Sequence, residues 1–462
     1  MIETEIAIIG GGVVGCAVAR RCALEGAQVL LLEKAADILD GASKGNSAIL
    51  HTGFDAPPGT LEWECVQQGH EEYLEIHKAL NLPLLKTGAM VVAWNNEEEA
   101  RLEEVLKKGL KNGVDDLRIL DRQEVLAREP NLASTLKAAI HIPREYVIDP
   151  WSAPLAYLLQ AVENGGQALF NAPVTGGTHD GGHWLLDTPQ GQVKARFVIN
   201  CAGLYGDLVD QAVLGSSAFI IKPRKGQFVV YDKAARGLIN SIILPVPSSR
   251  TKGIVLFPTI FGNMMVGPTA EEQESRDDAS VDEDTLYMLA DKGRAMLPAL
   301  KDMPVTTTYA GIRPATEQSE YRICGDPEHG WFTLGGIRST GLTSALGLAH
   351  YVFGLITDRG EQFTPPVFPR VPQVPNLAEH LQRDYASPGH GEIVCHCEMV
   401  TRREIMAALS GKLPAGSLAG LKRRTRVTMG RCQGFYCSAR LAELTKDKLA
   451  TPLGLEGCDQ DA

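Results

Sequence analysis

The chain has 462 residues, with 45 Lys and Arg against 56 Asp and Glu, a net charge of -11. That length allows two or three domains with full cores. The acidic balance does not favour nucleic acid or an anionic membrane as the main partner, although a local basic patch can still bind an anionic substrate. No run approaches the ~20 apolar residues of a membrane span, and the first residues already read as a core strand, so the expectation is a cytoplasmic chain without a cleavable signal.

The first element is Glu5-Ile6-Ala7-Ile8-Ile9, an apolar strand that breaks into Gly10-Gly11-Gly12-Val13-Val14-Gly15 and then a helix, Cys16 to Leu24. Gly10 permits the turn, Gly12 clears room for a pyrophosphate, and Gly15 lets the helix pack on the strand with its N-terminus toward the phosphates. A second strand, Gln28 to Leu32, ends at Glu33, where an acid accepts hydrogen bonds from ribose hydroxyls. The pattern predicts a dinucleotide site for NAD or FAD; the acid disfavours a 2′-phosphate.

The small, polar stretch Gly41 to Ser47 leads to Ala48-Ile49-Leu50-His51-Thr52-Gly53 and lets backbone approach a ligand. Leu61 to Leu80 reads as a helix, Thr87 to Ala93 as a strand, and Glu97 to Asn112 as an amphipathic helix with a solvated face. Ala138 to Ile142 reads as a strand, and Trp151 to Asn164 as a helix. Gln167 to Phe170, Pro173 to Thr175 and His183 to Thr188 have hairpin spacing. Gln192 to Ile199 runs into a second glycine turn, Asn200 to Asp207.

Strands are expected at Gly226 to Tyr231, Ser241 to Leu244, Gly253 to Phe257 and Asn263 to Val266, in a sheet distinct from the first. After a helix at Ser280 to Leu297, Val305 to Tyr309 reads as a strand entering Ala310-Gly311-Ile312-Arg313-Pro314. Trp331 to Leu334 ends at a third glycine turn, Gly335 to Thr343, and a helix to Leu355 follows. Phe363 to His390 carries six prolines and little periodicity, which predicts a semi-extended linker.

Ten cysteines make disulfides improbable in a reducing compartment. Cys16, Cys22, Cys65, Cys201 and Cys324 lie in apolar surroundings as inert thiols, and Cys458 lies in the polar tail. Cys395, Cys397, Cys432 and Cys437 form two pairs able to close a four-thiolate shell around a metal or a two-iron cluster. Zinc is the rival, but structural zinc pairs are usually spaced more widely than Cys-x-Cys. Thr401-Arg402-Arg403-Glu404 is a capping box. The run Lys422, Arg423, Arg424 and Arg426 either offsets cluster charge, docks a partner, or is a solvated face.

The three glycine turns with Glu33 resemble the FAD-dependent oxidoreductases of the D-amino-acid oxidase and glycerol-3-phosphate dehydrogenase superfamily, over residues 1 to about 360. The resemblance implies an α/β fold: a Rossmann-like FAD-binding domain (1–83, 146–219 and 321–362) interleaved with an α+β mixed-sheet substrate domain (84–145 and 220–320). It implies FAD contacts at Gly10, Gly12, Gly15, Glu33, Ser47, Val174, Gly203, Gly336, Gly341, Leu342 and Thr343. Beyond the linker (363–390), residues 391–450 form a small helical cysteine-cluster domain, with a tail at 451–462. Val394 to Thr401 and Lys422 to Cys437 are similar to the bacterioferritin-associated-ferredoxin-like [2Fe-2S] domain that ends the large subunit of anaerobic glycerol-3-phosphate dehydrogenases.

Flavins accept a hydride from a carbon whose heteroatom proton must be removed, and His51 is the candidate base; a hydrogen-bonded core histidine is the bland alternative. Arg313 matches the arginine that grips the substrate anion in that family, with Arg338 and Lys225 as weaker candidates. Glycerol-3-phosphate enzymes resemble one another in an Arg-Tyr pair soon after His-x-Gly, which is absent from His51-Thr52-Gly53-Phe54-Asp55. Pro58-Gly59-Thr60, Lys222 to Gly226 and Gly336 to Ser339 look more like L-2-hydroxyglutarate dehydrogenases. The expected activity is therefore oxidation of a small anionic secondary alcohol, with a 2-hydroxy acid preferred over a polyol phosphate. Electrons would pass through the [2Fe-2S] cluster to another electron-transfer subunit or a membrane-associated quinone-linked partner. An amine or imino-acid dehydrogenase and a non-catalytic electron-transfer subunit are the alternatives.

Overall fold

The computed structural model describes residues 1–247 and 253–453; Cys458 and most of the tail lie outside these. The chain opens with β1 (Ile2–Ile9), α1 (Val13–Leu24) and β2 (Val29–Leu32). After α2 (Leu61–Ile76) the chain returns to the same sheet with Gln167–Leu169, β3 (Val193–Asn200) and, much later, β6 (Trp331–Gly335). Gln167–Leu169, β2, β1, β3 and β6 are all parallel neighbours in that order. Residues of this kind, branched and apolar on both faces, suit a sheet covered on both sides.

Register lines up the strand ends: Ile9 lies beside Leu32 and Asn200, and Asn200 beside Thr333. All three glycine turns therefore leave one rim, the place where open parallel sheets bind ligands. The helices α1, α2, α3 (Gly341–Thr357) and Ser152–Glu163 cover one face and bury a large apolar core against it.

The second sheet has nine strands. Its long members are β4 (Ile221–Tyr231) and β5 (Val305–Thr316), paired antiparallel with Gly226 beside Gly311 and Arg224 beside Arg313. Both exceed their expected lengths. Lys222-Pro223-Arg224 and Ile312-Arg313-Pro314 are themselves strand, so the residues expected in flanking turns are held rigidly. A third sheet joins Ile49–Leu50, Tyr146–Ile148 and Leu84–Leu85.

Two expectations need correction. Pro173 to Thr175 is irregular, and the hairpin strand starts only at Gly176; Pro173 has no N–H to give a ladder. The proline-rich segment is not a free linker. Val374, Leu377 and Ala378 are buried, Val374 N–H donates to the Leu80 carbonyl and Glu379 N–H to that of Ile260. It is a strap laid across both halves. Among the described residues no helix is long and apolar enough to cross a membrane.

A buried polar knot ties the helices. Glu72 on α2 meets Arg20 on α1 at 2.5 Å and His350 on α3 at 3.1 Å, while Arg20 Nε donates to Gln160 at 2.8 Å. Burial opposes ionisation of Glu72, but the His350 hydrogen bond and the Arg20 and Arg21 charges outweigh it and bring its pKa down from 4.5 to about 2. Its contribution is complete above pH 4.5 and fades as pH falls toward 2. Glu72→Gln should lower unfolding free energy by about 3 kcal/mol in urea titrations at neutral pH, because Arg20 is left buried and uncompensated. The difference from the wild type should shrink as the pH is lowered below 4.

Candidate active site

The rim of the first sheet and the β4–β5 pair enclose one cavity of about 770 Å³. Gly10, Gly12, Glu33, Ser47, Val174, Gly203, Gly336, Gly341 and Leu342 lie on its wall, and so do His51, Arg313 and Arg338. Gly15, Thr343 and Lys225 do not. A Cβ on Gly15 would stand 1.9 Å from the Gly10 carbonyl, so this glycine serves helix packing. Thr343 Oγ1 accepts from His51 N–H at 3.0 Å, behind the wall. Lys225 fails by parity: side chains alternate along a strand, so Arg224, Gly226 and Phe228 share the cavity face and Lys225 takes the other. Arg224 is the residue on the cavity.

At the nucleotide end, the Glu33 carboxylate accepts from Gly11 N–H at 2.6 Å and Ala35 N–H at 2.8 Å. Burial raises its pKa against these two bonds. Ser43 Oγ accepts from Val13 N–H at 3.0 Å, fixing the polar loop on the first turn of α1. A turn rich in N–H groups, a buried acid at the next strand end and a continuous cavity onward to His51 are what an elongated dinucleotide requires.

His51 has a partner that the sequence reading missed. Ile49–Leu50 and Tyr146–Ile148 pair antiparallel with Leu50 opposite Tyr146, which sets the next residue out, His51, against the residue before Tyr146, Glu145. Glu145 is fully buried. One of its oxygens lies 3.0 Å from His51 Nδ1, and the other accepts from Thr52 N–H at 2.6 Å and Thr52 Oγ1 at 2.8 Å. An ionised carboxylate there makes Nδ1 the protonated nitrogen and leaves Nε2 as the basic lone pair. Nothing in the local sequence marks Glu145; only strand register brings it to His51.

Arg313 faces the cavity from β5. A Cβ on Gly226 would stand 2.4 Å from Arg313 Nη2, so the missing side chain is the space this guanidinium occupies. Nη2 donates to the Thr269 carbonyl at 3.0 Å, and Arg313 has no ion pair among the described residues. Burial, then the charges of Arg224 and Arg338, bring its pKa down to about 10. Three guanidiniums around one cavity are chemically able to hold an anion. Arg224 also pairs with Glu272 at 2.7 Å, and Arg338 Nη2 donates to the Ser319 carbonyl at 2.5 Å.

In the C-terminal region, Thr401 and Glu404 form the expected capping box. Cys397 and Cys432 lie close enough to shift each other's pKa, and Cys395 acts on Cys437 in the same way. Among the described residues no three His, Cys, Asp or Glu side chains converge as a single-ion site requires. Four thiols, two from either segment, are the donor set that a two-iron group takes. Backbone N–H groups of Tyr436, Gly434 and Phe435 lower the Cys432 pKa. Elsewhere, burial pushes Cys22 and Cys65 up to about 12, as inert thiols require.

The basic run is not a solvated face. Arg423, Arg424 and Arg426 are buried, and their partners are Asp37, Asp40 and Glu398. They are spent on holding the cysteine domain together and on the body.

Comparison with known proteins agrees with this geometry. Residues 5–355 match the family described as FAD dependent oxidoreductase, and residues 393–446 the BFD-like [2Fe-2S] binding domain. The chain is 33% identical to a glycerol 3-phosphate dehydrogenase of Caloramator mitchellensis, over 98% of this chain and 95% of that one. It is 29% identical to an L-2-hydroxyglutarate dehydrogenase of Indibacter alkaliphilus, over 58% of this chain and 68% of the relative. Among solved structures, the FAD-bound, dithionite-reduced L-alpha-glycerophosphate oxidase of Mycoplasma pneumoniae superimposes with a TM-score of 0.76 at 28% identity, covering 81% of this chain and all of that one. With both cofactor regions accounted for, one at the rim of the parallel sheet and one beyond the strap, the chain belongs to the FAD dependent oxidoreductases and carries a BFD-like [2Fe-2S] domain behind the flavin fold.

Proposed function

We propose that this oxidoreductase dehydrogenates the secondary alcohol of a small dianion, with glycerol 3-phosphate as the first candidate. The observation that carries the reading is Arg313, a cavity-facing guanidinium without an ion pair among the described residues, flanked by Arg224 and Arg338. Such a cluster suits a phosphate, and the relative that matches almost end to end, cysteine domain included, is named for glycerol 3-phosphate.

FAD, when bound, supplies a two-electron hydride acceptor, and the cluster a one-electron outlet. Gly10, Gly12 and Glu33 would hold the dinucleotide, and Cys395, Cys397, Cys432 and Cys437 the two irons. Arg313, Arg224 and Arg338 bind the anionic end and so orient the carbinol carbon. His51 Nε2 takes the hydroxyl proton, and Glu145 keeps the imidazole in the required tautomer and offsets its positive charge once protonated. The destination of the electrons in this reading is a partner redox protein or a quinone-linked complex at the inner membrane, with the chain itself in the cytoplasm.

A 2-hydroxy acid such as L-2-hydroxyglutarate is the second reading. Phe54 stands where the Arg-Tyr pair of the phosphate enzymes is expected, and it is buried. Two carboxylates would engage the same guanidiniums.

Anaerobic mixing decides between them. Glycerol 3-phosphate should bleach the flavin at least ten times more efficiently than L-2-hydroxyglutarate, and the reverse order would establish the second reading. Arg313→Ala should raise KM by about 100-fold, the loss of a charge-assisted contact of roughly 3 kcal/mol. His51→Asn should lower kcat by about 10² to 10⁴ with little change in KM. Unchanged kinetics in both variants would refute the site.

The metal reading has its own check. Purified protein should carry iron and acid-labile sulfide in equal amounts, and Cys432→Ser should abolish both while FAD stays bound. Zinc without sulfide would count against the cluster assignment.

A further inference from the structure

The segment that follows β2, from Glu33 to Asp40, is gripped from two sides. On one side it meets the glycine turn: Gly11 N–H donates to Glu33 Oε2 at 2.6 Å, and Leu39 N–H returns to the Gly11 carbonyl at 3.0 Å. On the other side it meets the cysteine domain. Arg424, on α4 (Leu418–Thr425), places both terminal nitrogens on the two Asp37 oxygens at 2.7 Å each. Gly416 N–H adds a third bond to Asp37 at 3.0 Å, and Arg423 Nη2 donates to the Ile38 carbonyl at 2.9 Å. Asp37 is 1% exposed and Arg424 8%. The fit leaves no slack, since a Cβ on Gly416 would stand 1.9 Å from the Ala36 carbonyl.

We propose that the cysteine domain is a clamp on the FAD site: Asp37 and Arg424 are positioning residues that hold Glu33 in its ribose-binding pose, so cluster loading and FAD affinity are coupled. The chain of contacts is continuous. Cys395 and Cys437 belong to the small domain's apolar core, together with Leu421 of α4. Arg426, which caps α4, donates through Nε to Glu398 beside Cys397 at 2.8 Å. A domain of this size has only a marginal core of its own, and metal binding to such a domain adds to its folding free energy. Loss of the cluster therefore loosens α4, α4 releases Asp37, and a buried carboxylate without its guanidinium cannot stay where it is. The four-residue step from Asp37 back to Glu33 carries the change to the nucleotide.

The test is FAD affinity of the full chain, read from quenching of flavin fluorescence. Stripping iron with a chelator should raise the FAD Kd about tenfold, within the usual range of coupling between sites. Arg424→Gln, with its cluster intact, should produce a similar rise, and stripping iron from that variant should add little more. Arg424→Lys keeps charge but not the two-pronged contact and should rescue only in part. By reciprocity, bound FAD should lower the fraction of iron that the chelator removes at equilibrium in the wild type but not in Arg424→Gln. A purely structural pair would lower the melting temperature and leave the FAD Kd of the folded protein unchanged, which would overturn the proposal. If Arg424→Gln does not fold, the wild-type comparison with and without iron decides alone: an unchanged Kd refutes the coupling.

Discussion

Everything at the cavity depends on two backbones that touch. A Cβ on Gly311 would lie 2.4 Å from the Gly45 carbonyl, and one on Gly45 2.9 Å from the Gly311 Cα, so the β5 strand and the loop after β2 pack with no side chain between them. The contact is reinforced around its edge, where Tyr309 Oη donates to the Asn46 carbonyl at 2.9 Å and Trp151 Nε1 to that of Lys44 at 3.2 Å. Because β5 is pinned at Gly311, Arg313 two residues on emerges on the same face and into the same space as the glycine rim. A side chain at either glycine would push the anion site away from the dinucleotide loop, and proximity is what the chemistry needs.

The glycine rim was legible because phosphate recognition is local: strand, turn and helix all lie between Ile2 and Leu24, and the acid follows at the end of the next strand. The cysteine pairs were legible for the same reason. Glu145 was not, because its meeting with His51 is a matter of register between strands almost a hundred residues apart. Arg224 and Lys225 were confused for a subtler reason. Both sit in the same basic stretch, and only knowing that β4 already begins at Ile221 assigns their faces, since a shift of one residue exchanges the two sides of a strand.

Composition misled in two places where polar or proline-rich sequence is buried by a partner the sequence does not show. The strap lacks periodicity because it has no repeating backbone hydrogen bonds, yet Arg383 within it is 2% exposed and donates to the Leu377 and Glu398 carbonyls. For the run Lys422 to Arg426 a solvated face is one of three open readings, because arginine is seldom buried unpaired. Here the counter-charges come from Asp37, nearly four hundred residues earlier, and from Glu398.

That placement of charge changes how the two redox regions differ. Arg424 and Arg426 of the cysteine domain are neutralised by carboxylates, and backbone N–H groups favour a Cys432 thiolate. Backbone dipoles favour the thiolate without adding mobile charge at the surface. In the cavity the order differs: Arg224 pairs with Glu272, but among the described residues Arg313 has no ion pair, in a chain whose total charge is -11. A buried guanidinium without an ion pair costs stability, since burial and the neighbouring Arg224 and Arg338 charges both disfavour the charged form of Arg313. An anionic group beside Arg313 would offset that cost, which is the physical ground for reading this part of the cavity as the place for the charged end of a donor.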